Sequence, residues 1–576
     1  MKTKTFTLAS AAILAAAISS ASLGHEDERK TELFKPGVGF AGERAEPTAN
    51  AAAGTSLRVP LYEGLGSRSY KITTHSAQAQ AYFDQGLKLA WGFNHAEGRR
   101  AFREAQRLDP SCAMCFWGEA FVLGSNINDA MHDEAIAPAF EAISQAIALK
   151  DGTTAKEQAL IEALAARYAS DSNADRATLD QAWADAIQAV ARRYPRDADI
   201  QVLYADALMN LQPWDYWEAD GTTPKGHAVD IVASLEQALA IAPGHPAAAH
   251  LYIHAVEASA TPERAEPHAD ALRGTMPGAG HLTHMPAHIY SRIGRHKDSL
   301  AVNRDAIAAD ERMLEAMGDA ASSLYRFGYY PHNVHFLLVA AQMSGAKEDA
   351  LAAANKLDAI ISNEVSAELG WVQAIKTAPY SAHAQFAEPE AILTLADPGD
   401  RFSFVKGYWH YARGVALARL GRIDEALAEA AALEALSSSA DLDALEAQYV
   451  PARALLEIAK HVVEARVEQA RQDYRAAEHH LEEAIALEDA IAYMEPPYWY
   501  YPVRQTLAAV QLQDGRAQEA IMTFHQALAK QPKNGWALWG LLQAEQRAGD
   551  ASAAQTEREF RRVWLGDNAL LALDRL

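Results

Sequence analysis

Four scarcities narrow the possibilities before any motif is considered. The chain has two cysteines, Cys112 and Cys115, in 576 residues. One Cys-x-x-Cys pair cannot form a disulfide framework, so the fold must be held by packing, for which 49% apolar residues suffice. Positive charge is the minority sign, with 52 Lys and Arg against 75 Asp and Glu, a net charge of −23. A balance this acidic repels nucleic acid and anionic lipid and argues against both as partners. No internal stretch of about 18 unbroken apolar residues offers a stable membrane span. Runs of β-branched residues are few, and no nucleophile elbow, phosphate loop or dinucleotide fingerprint is found.

The N-terminus has the form of a secretory signal. Lys2 and Lys4 precede an apolar run from Leu8 to Ile18, followed by small residues to Gly24. The reading is a signal peptide at 1–24 and an exported protein, most simply periplasmic. Removing Lys2 and Lys4 takes the net charge to −25. A free His25 at the new N-terminus would add a minor copper-chelating group. Residues 25–78 hold Gly, Pro, Ser and Thr without helical periodicity and read as an extended arm.

From Ala79 the composition turns rich in Ala, Leu, Glu and Gln, which favours helix throughout. Gly86, Gly98, Phe102, Ala105 and Pro110 occupy positions 8, 20, 24, 27 and 32 of a 34-residue frame. Small residues at 8 and 20 let two helices approach, Phe102 and Ala105 fill the seam, and Pro110 stops the second helix. Gly294, Gly345, Gly414, Ala426, Gly515, Ala520, Phe524, Ala527 and Pro532 continue the frame.

On these residues the chain resembles the tetratricopeptide repeat (TPR) family. The resemblance implies an all-α superhelical solenoid of eleven or twelve helix pairs over 79–576, with the last pair, near 535–565, as its polar cap. Irregular joins are expected near 124–135, 211–227, 312–330 and 380–406. Two longer signatures, Cys112-Ala-Met-Cys115-Phe-Trp117-Gly118 and His284-Met-Pro-Ala-His288-Ile, resemble a group of exported bacterial repeat proteins. No activity is carried over from that group.

The most informative feature is the phase of the histidines. His250 and His254 lie 34 residues before His284 and His288. His332 and His335 join the same phase after an insertion of 17, since Gly294 to Gly345 is 51. The resemblance implies that positions 2, 5 and 9 of each first helix line the concave groove. In units beginning at Pro246, Gly280 and Pro331 those nine slots hold seven histidines: His250, His254, His281, His284, His288, His332 and His335. Composition alone would supply about 0.3.

Imidazole is the commonest transition-metal ligand, and histidines at i, i+4 share one helix face. Glu257 completes an i, i+4, i+7 set with His250 and His254. Asp206 and Arg292 fall at groove positions of neighbouring units and are candidate ligand-binding residues. Pro286 either kinks its helix or leaves His281 and His284 in a loop. Cys112 and Cys115, at the start of a first helix, read as a local disulfide, with a redox pair or metal half-site as alternatives. The aromatic groups Trp214–Trp217 and Tyr498–Tyr501 read as inter-repeat packing or as pocket walls.

Three functions stay open on this sequence. The first is an exported binding protein that holds a metal or small ligand, such as zinc, copper or iron, in a histidine-lined groove. The second is a metal-dependent oxidoreductase or hydrolase using the same cluster. The third is a metal-free scaffold for a peptide or protein partner.

Overall fold

The computed structural model describes residues 59–576. The segment expected to be a signal peptide, His25 and the expected arm as far as residue 58 lie outside the described residues. Among the described residues the architecture is all-α, with only isolated β-bridges at Asn126–Asp129 and Trp217–Pro224. No described helix is long and apolar enough to cross a membrane.

Antiparallel helix pairs succeed one another along the chain, from Ala77–Trp91 with His95–Leu108 to Gly535–Ala548 with Ala553–Val563. Eleven such pairs can be followed, and the short helices between 363 and 392 form an irregular insert. The fold is a TPR-like helical solenoid. The seam of the first pair shows why its residues recur. Phe102 is fully buried against Phe83, with ring centroids 5.4 Å apart. A Cβ on Gly86 would come within 2.8 Å of the Phe102 ring, and one on Gly118 within 2.4 Å. The ring therefore occupies the space that two missing side chains leave.

Cys112 and Cys115 are disulfide-bonded at the start of the Ala113–Leu123 helix, buried beside Ala79 and Ala105. The described end of the arm, residues 59–76, is non-helical and tied down over a wide area. Tyr62 donates to Glu97, Arg68 pairs with Asp199, and the Thr73 hydroxyl donates to Glu157.

Two features depart from the open groove expected of such a stack. The superhelix returns on itself, so its inner wall is covered. The His250 imidazole reaches the Trp91 carbonyl at 2.6 Å, across 159 residues, and Tyr493 reaches Glu257 across 236. The last helix pair is not a free polar cap either. Trp536 Nε1 donates to the Gln342 carbonyl at 2.7 Å, Leu565 N–H donates to Ser344, and Trp564 lies against Gly345. Exposed apolar surface at that end is thereby removed by packing onto the Tyr330–Ser344 helix.

Candidate metal centre

Three helical segments carry the histidines. Pro246–Val256 begins with Pro at its first turn, where a missing N–H leaves no acceptor unserved. Gly280–His284 runs into Pro286–Arg292 through Met285, which keeps helical dihedrals (φ −48°, ψ −36°). Pro286 thus interrupts the hydrogen-bond ladder without ending the helix, and His281, His284 and His288 all stay on one helical path. The third segment, Tyr330–Ser344, follows a turn of π-helix at Tyr325–Tyr329.

Six of the seven candidate histidines meet. Their donor atoms form two trios, His250/His254/His281 and His284/His288/His332, each with its nitrogens within 4.8 Å of one another. Five imidazoles close a ring, with centroids 4.9 Å apart for His250–His254, 5.2 Å for His254–His288 and 4.6 Å for His288–His284. His281 completes it, 6.0 Å from His284 and 4.9 Å from His250. His332 caps the second trio, 4.9 Å from His284. All are buried except His332, which is half-buried.

Each trio has its own phenylalanine wall. Phe93 lies 4.5 Å from His250 and 5.5 Å from His281, and Phe336 lies 4.7 Å from both His284 and His288. Phe93 holds a left-handed φ of 56°, as does Trp214 at 65°, whose ring meets His254 at 4.8 Å. That conformation is costly for bulky residues, and here the surrounding packing imposes it at the centre.

The hydrogen bonds decide which nitrogens are available. His250 Nδ1 faces the Trp91 carbonyl at 2.6 Å, and a carbonyl can only accept. His254 Nδ1 and His288 Nδ1 face the two oxygens of Glu257 at 2.7 and 2.8 Å. His284 Nδ1 meets Asn303 Oδ1 at 2.6 Å, and Asn303 Nδ2 is already committed to the Ser299 carbonyl. Four imidazoles therefore carry their proton on Nδ1, and their Nε2 lone pairs are bare.

Those bare nitrogens converge. His284 Nε2 and His288 Nε2 are 2.7 Å apart, and His250 Nε2 lies 3.2 Å from His281 Nε2. His254 Nε2 and His281 Nδ1 are buried without a hydrogen-bond partner. Burial, followed by the neighbouring imidazoles, pushes the pKa of His250, His281, His284 and His332 well below the usual histidine value.

Glu257 sits between the trios, one oxygen to each. It is the C-cap of its helix, fully buried, and also accepts from Tyr493 at 2.9 Å. Burial raises its pKa, but His288 and His254 outweigh that and hold it well below the carboxylate range. Its carboxylate meets Nδ1 atoms rather than the converging Nε2 atoms, so it orients ligands. Arg292 supports it from behind, donating to the Glu257 and Ser259 carbonyls at 2.8 and 3.0 Å, with its guanidinium over Tyr493. The structure makes Arg292 a backbone clamp rather than part of the imidazole group.

His335 and Asp206 stand apart. His335 Nε2 pairs with the Tyr500 hydroxyl at 2.8 Å, one helical turn beyond the second trio. Asp206 accepts from Asn210 at 3.2 Å, and burial lifts its pKa to about 6. Neither belongs to a described group of converging donors. Both occupy the groove phase, but Tyr500 from a distant segment holds His335, and Asn210, one turn along the same helix, holds Asp206.

Glu495 joins the centre from a distant segment, its carboxylate in contact with His288 Nδ1. Glu495, Tyr493, Asn303 and the Trp91 carbonyl fall outside the 34-residue phase; Asn303 comes from the helix His296–Met317 packed against the histidine path, and superhelical closure brings the other three.

Comparison with known proteins adds little. No family model matches the chain, and no curated protein matches. Among solved structures, the human IFIT1 dimer with m7Gppp-AAAA aligns at 11% identity and a TM-score of 0.28, covering 85% of this chain and 90% of its own. The Cut9–Hcn1 hetero-tetramer of APC/C aligns at 13% identity and 0.29, covering 82% and 78%. Yeast Tom70 aligns at 11% and 0.27, covering 84% and 93%. These overlaps are too loose to transfer a ligand or a partner.

Proposed function

We propose that this chain is a metal-binding repeat protein in which the two imidazole trios each hold one transition-metal ion. The observation that carries the reading is the pair of bare lone pairs, on His284 Nε2 and His288 Nε2, facing each other at 2.7 Å in a buried site. Such a contact is repulsive unless a proton or a metal ion is shared between the two nitrogens, and three imidazoles around one point suit the metal ion. Tetrahedral ligation at about 2.0–2.1 Å separates ligand nitrogens by about 3.3 Å. The first trio already has 3.2 Å, and the second opens by about half an ångström.

Ligand chemistry favours zinc or copper over iron. The donors converging within the two trios are all imidazole nitrogens, whereas Glu257 and Glu495 converge with the outer nitrogens of His254 and His288 as a separate, mixed group. Three protein ligands leave a coordination position open at each ion, as in sites that take an exogenous ligand. A peptide-binding role for this wall is less favoured, because Tyr493 and Glu495 cover it. Export is part of the proposal, supported by the signal-like N-terminus and the Cys112–Cys115 disulfide.

The test is metal content by plasma mass spectrometry on protein from metal-replete cells. About two equivalents are expected in the wild type, about one in His281→Ala or in His332→Ala, and almost none in His254→Ala/His288→Ala. Less than about 0.1 equivalent in the wild type refutes the proposal, as does an unchanged double variant.

A further inference from the structure

A cavity of about 220 Å³ runs from the surface to His288, the one member of the second trio that lines it. Its rim includes the exposed residues Asp489 and Lys530, and its inner end is formed by His288 and Glu495. Between them the wall is largely apolar and aromatic, with Phe336, Val339 and Met343 on one side and Tyr493, Tyr498 and Trp499 on the other. The charged groups in this wall are already engaged. Arg504 and Lys530 both pair with Asp489, and Arg292 is taken by two backbone carbonyls. Burial, only partly opposed by Arg504, keeps Glu488 close to neutral, with its pKa raised to about 7. Three buried polar atoms of this wall have no hydrogen-bond partner: the indole N–H of Trp499, which is 6% exposed, Nδ1 of His296, and an oxygen of Glu495 that instead contacts His288.

Resting on the metal reading above, we propose that this cavity admits a neutral, single-ring aromatic molecule carrying a hydroxyl group and presents it to the second imidazole trio. The aromatic walls supply stacking surface, the engaged charges offer no partner to an ionic ligand, and the Trp499 N–H seeks an oxygen. The volume lies below that of sites for drug-sized ligands, which limits the guest to a ring with a small substituent. Such a path makes the centre a substrate-taking site and separates it from sealed structural metal sites.

Phenol is the probe, with benzoate and benzylamine as charged analogues and toluene as the analogue without oxygen. Calorimetric titration of the metal-loaded protein is paired with metal analysis of every sample. Phenol is expected to bind at least about tenfold more tightly than either charged analogue. Val339→Trp, which fills the cavity without touching a histidine nitrogen, should abolish phenol binding and leave metal content unchanged. Should that variant misfold, Trp499→Phe replaces it, weakening phenol about tenfold while sparing toluene. Wild-type protein with two metal equivalents that fails to bind phenol, or a metal-loaded Val339→Trp that binds it equally, overturns the proposal and leaves the metal reading standing. Phenol bound by a chain without metal overturns both.

Discussion

Replacing Glu257 by Gln tests how the centre is organised. Three donors converge on this buried carboxylate: His254 Nδ1 at 2.7 Å, His288 Nδ1 at 2.8 Å and the Tyr493 hydroxyl at 2.9 Å. Hydrogen bonds to a charged group contribute about 1.5–3 kcal/mol each, and a glutamine keeps only one accepting oxygen. Its NH2 must therefore face either His254 or His288. When the NH2 faces His254, that imidazole moves its proton from Nδ1 to Nε2 and the first trio loses a lone pair, whereas His288 Nδ1 still has the Glu495 carboxylate as an acceptor. Loss of an orienting partner costs about 10- to 100-fold in metal affinity, or about 1.4–2.8 kcal/mol. One trio should weaken by that factor and the other far less, because a single oxygen still serves it. Competition titration with a chromophoric zinc chelator resolves the two affinities, and Glu257→Asp, which keeps the charge, should recover part of the loss. If both Glu257→Gln affinities match the wild type, Glu257 does not set the histidine tautomers, and the argument for converging lone pairs fails.

Stability should depend on pH in a defined direction. Burial lowers His95 and His296 to about 4 and His335 to about 3, against about 6.5 in the unfolded chain, so their contribution is present above pH ~6.5 and lost on acidification. Asp206, Asp310 and Glu488, raised to about 6, about 7 and about 7 by burial, act oppositely, but the depressed histidines outnumber them once the trios are included. The urea midpoint of metal-free protein should fall from pH 7 to pH 5, and a flat or rising midpoint contradicts the burial. Gly118→Ala places a methyl 2.4 Å from the Phe102 ring and should cost about 1–3 kcal/mol. Gly244→Ala, with open space around it, should stay within about 0.5 kcal/mol in the same unfolding experiment.

What could be read from the sequence followed the range of the forces involved. Gly86, Phe102, Ala105 and Pro110 report the helix pair because their contacts lie within one repeat or its neighbour, where a 34-residue frame is reliable. The histidine phase was legible for the same reason, since stacking of adjacent units brings equivalent positions together. His335 and Asp206 share that phase yet stand apart: Tyr500, which holds His335, comes from a segment the frame does not place, and Asp206 is held by Asn210 within its own helix. Arg292 shares the groove phase in sequence, but its guanidinium turns to the carbonyls of Glu257 and Ser259. Tyr493, Glu495 and Asn303 carried no periodic signal. The open groove expected of the repeat became a covered interior once distant turns met, as Trp536 with Gln342 shows.

That closure bears on how the protein can change over time. Most helical arrays gain or lose a unit cheaply, because each unit answers only to its neighbours. Here the carbonyl of Trp91, the imidazoles between His250 and His332, and the carboxylate of Glu495 must coincide within a few ångströms. Inserting or deleting one hairpin anywhere between them would rotate one wall away from the other. The number of turns is thereby locked, and no excised fragment of the coil can reproduce the whole constellation.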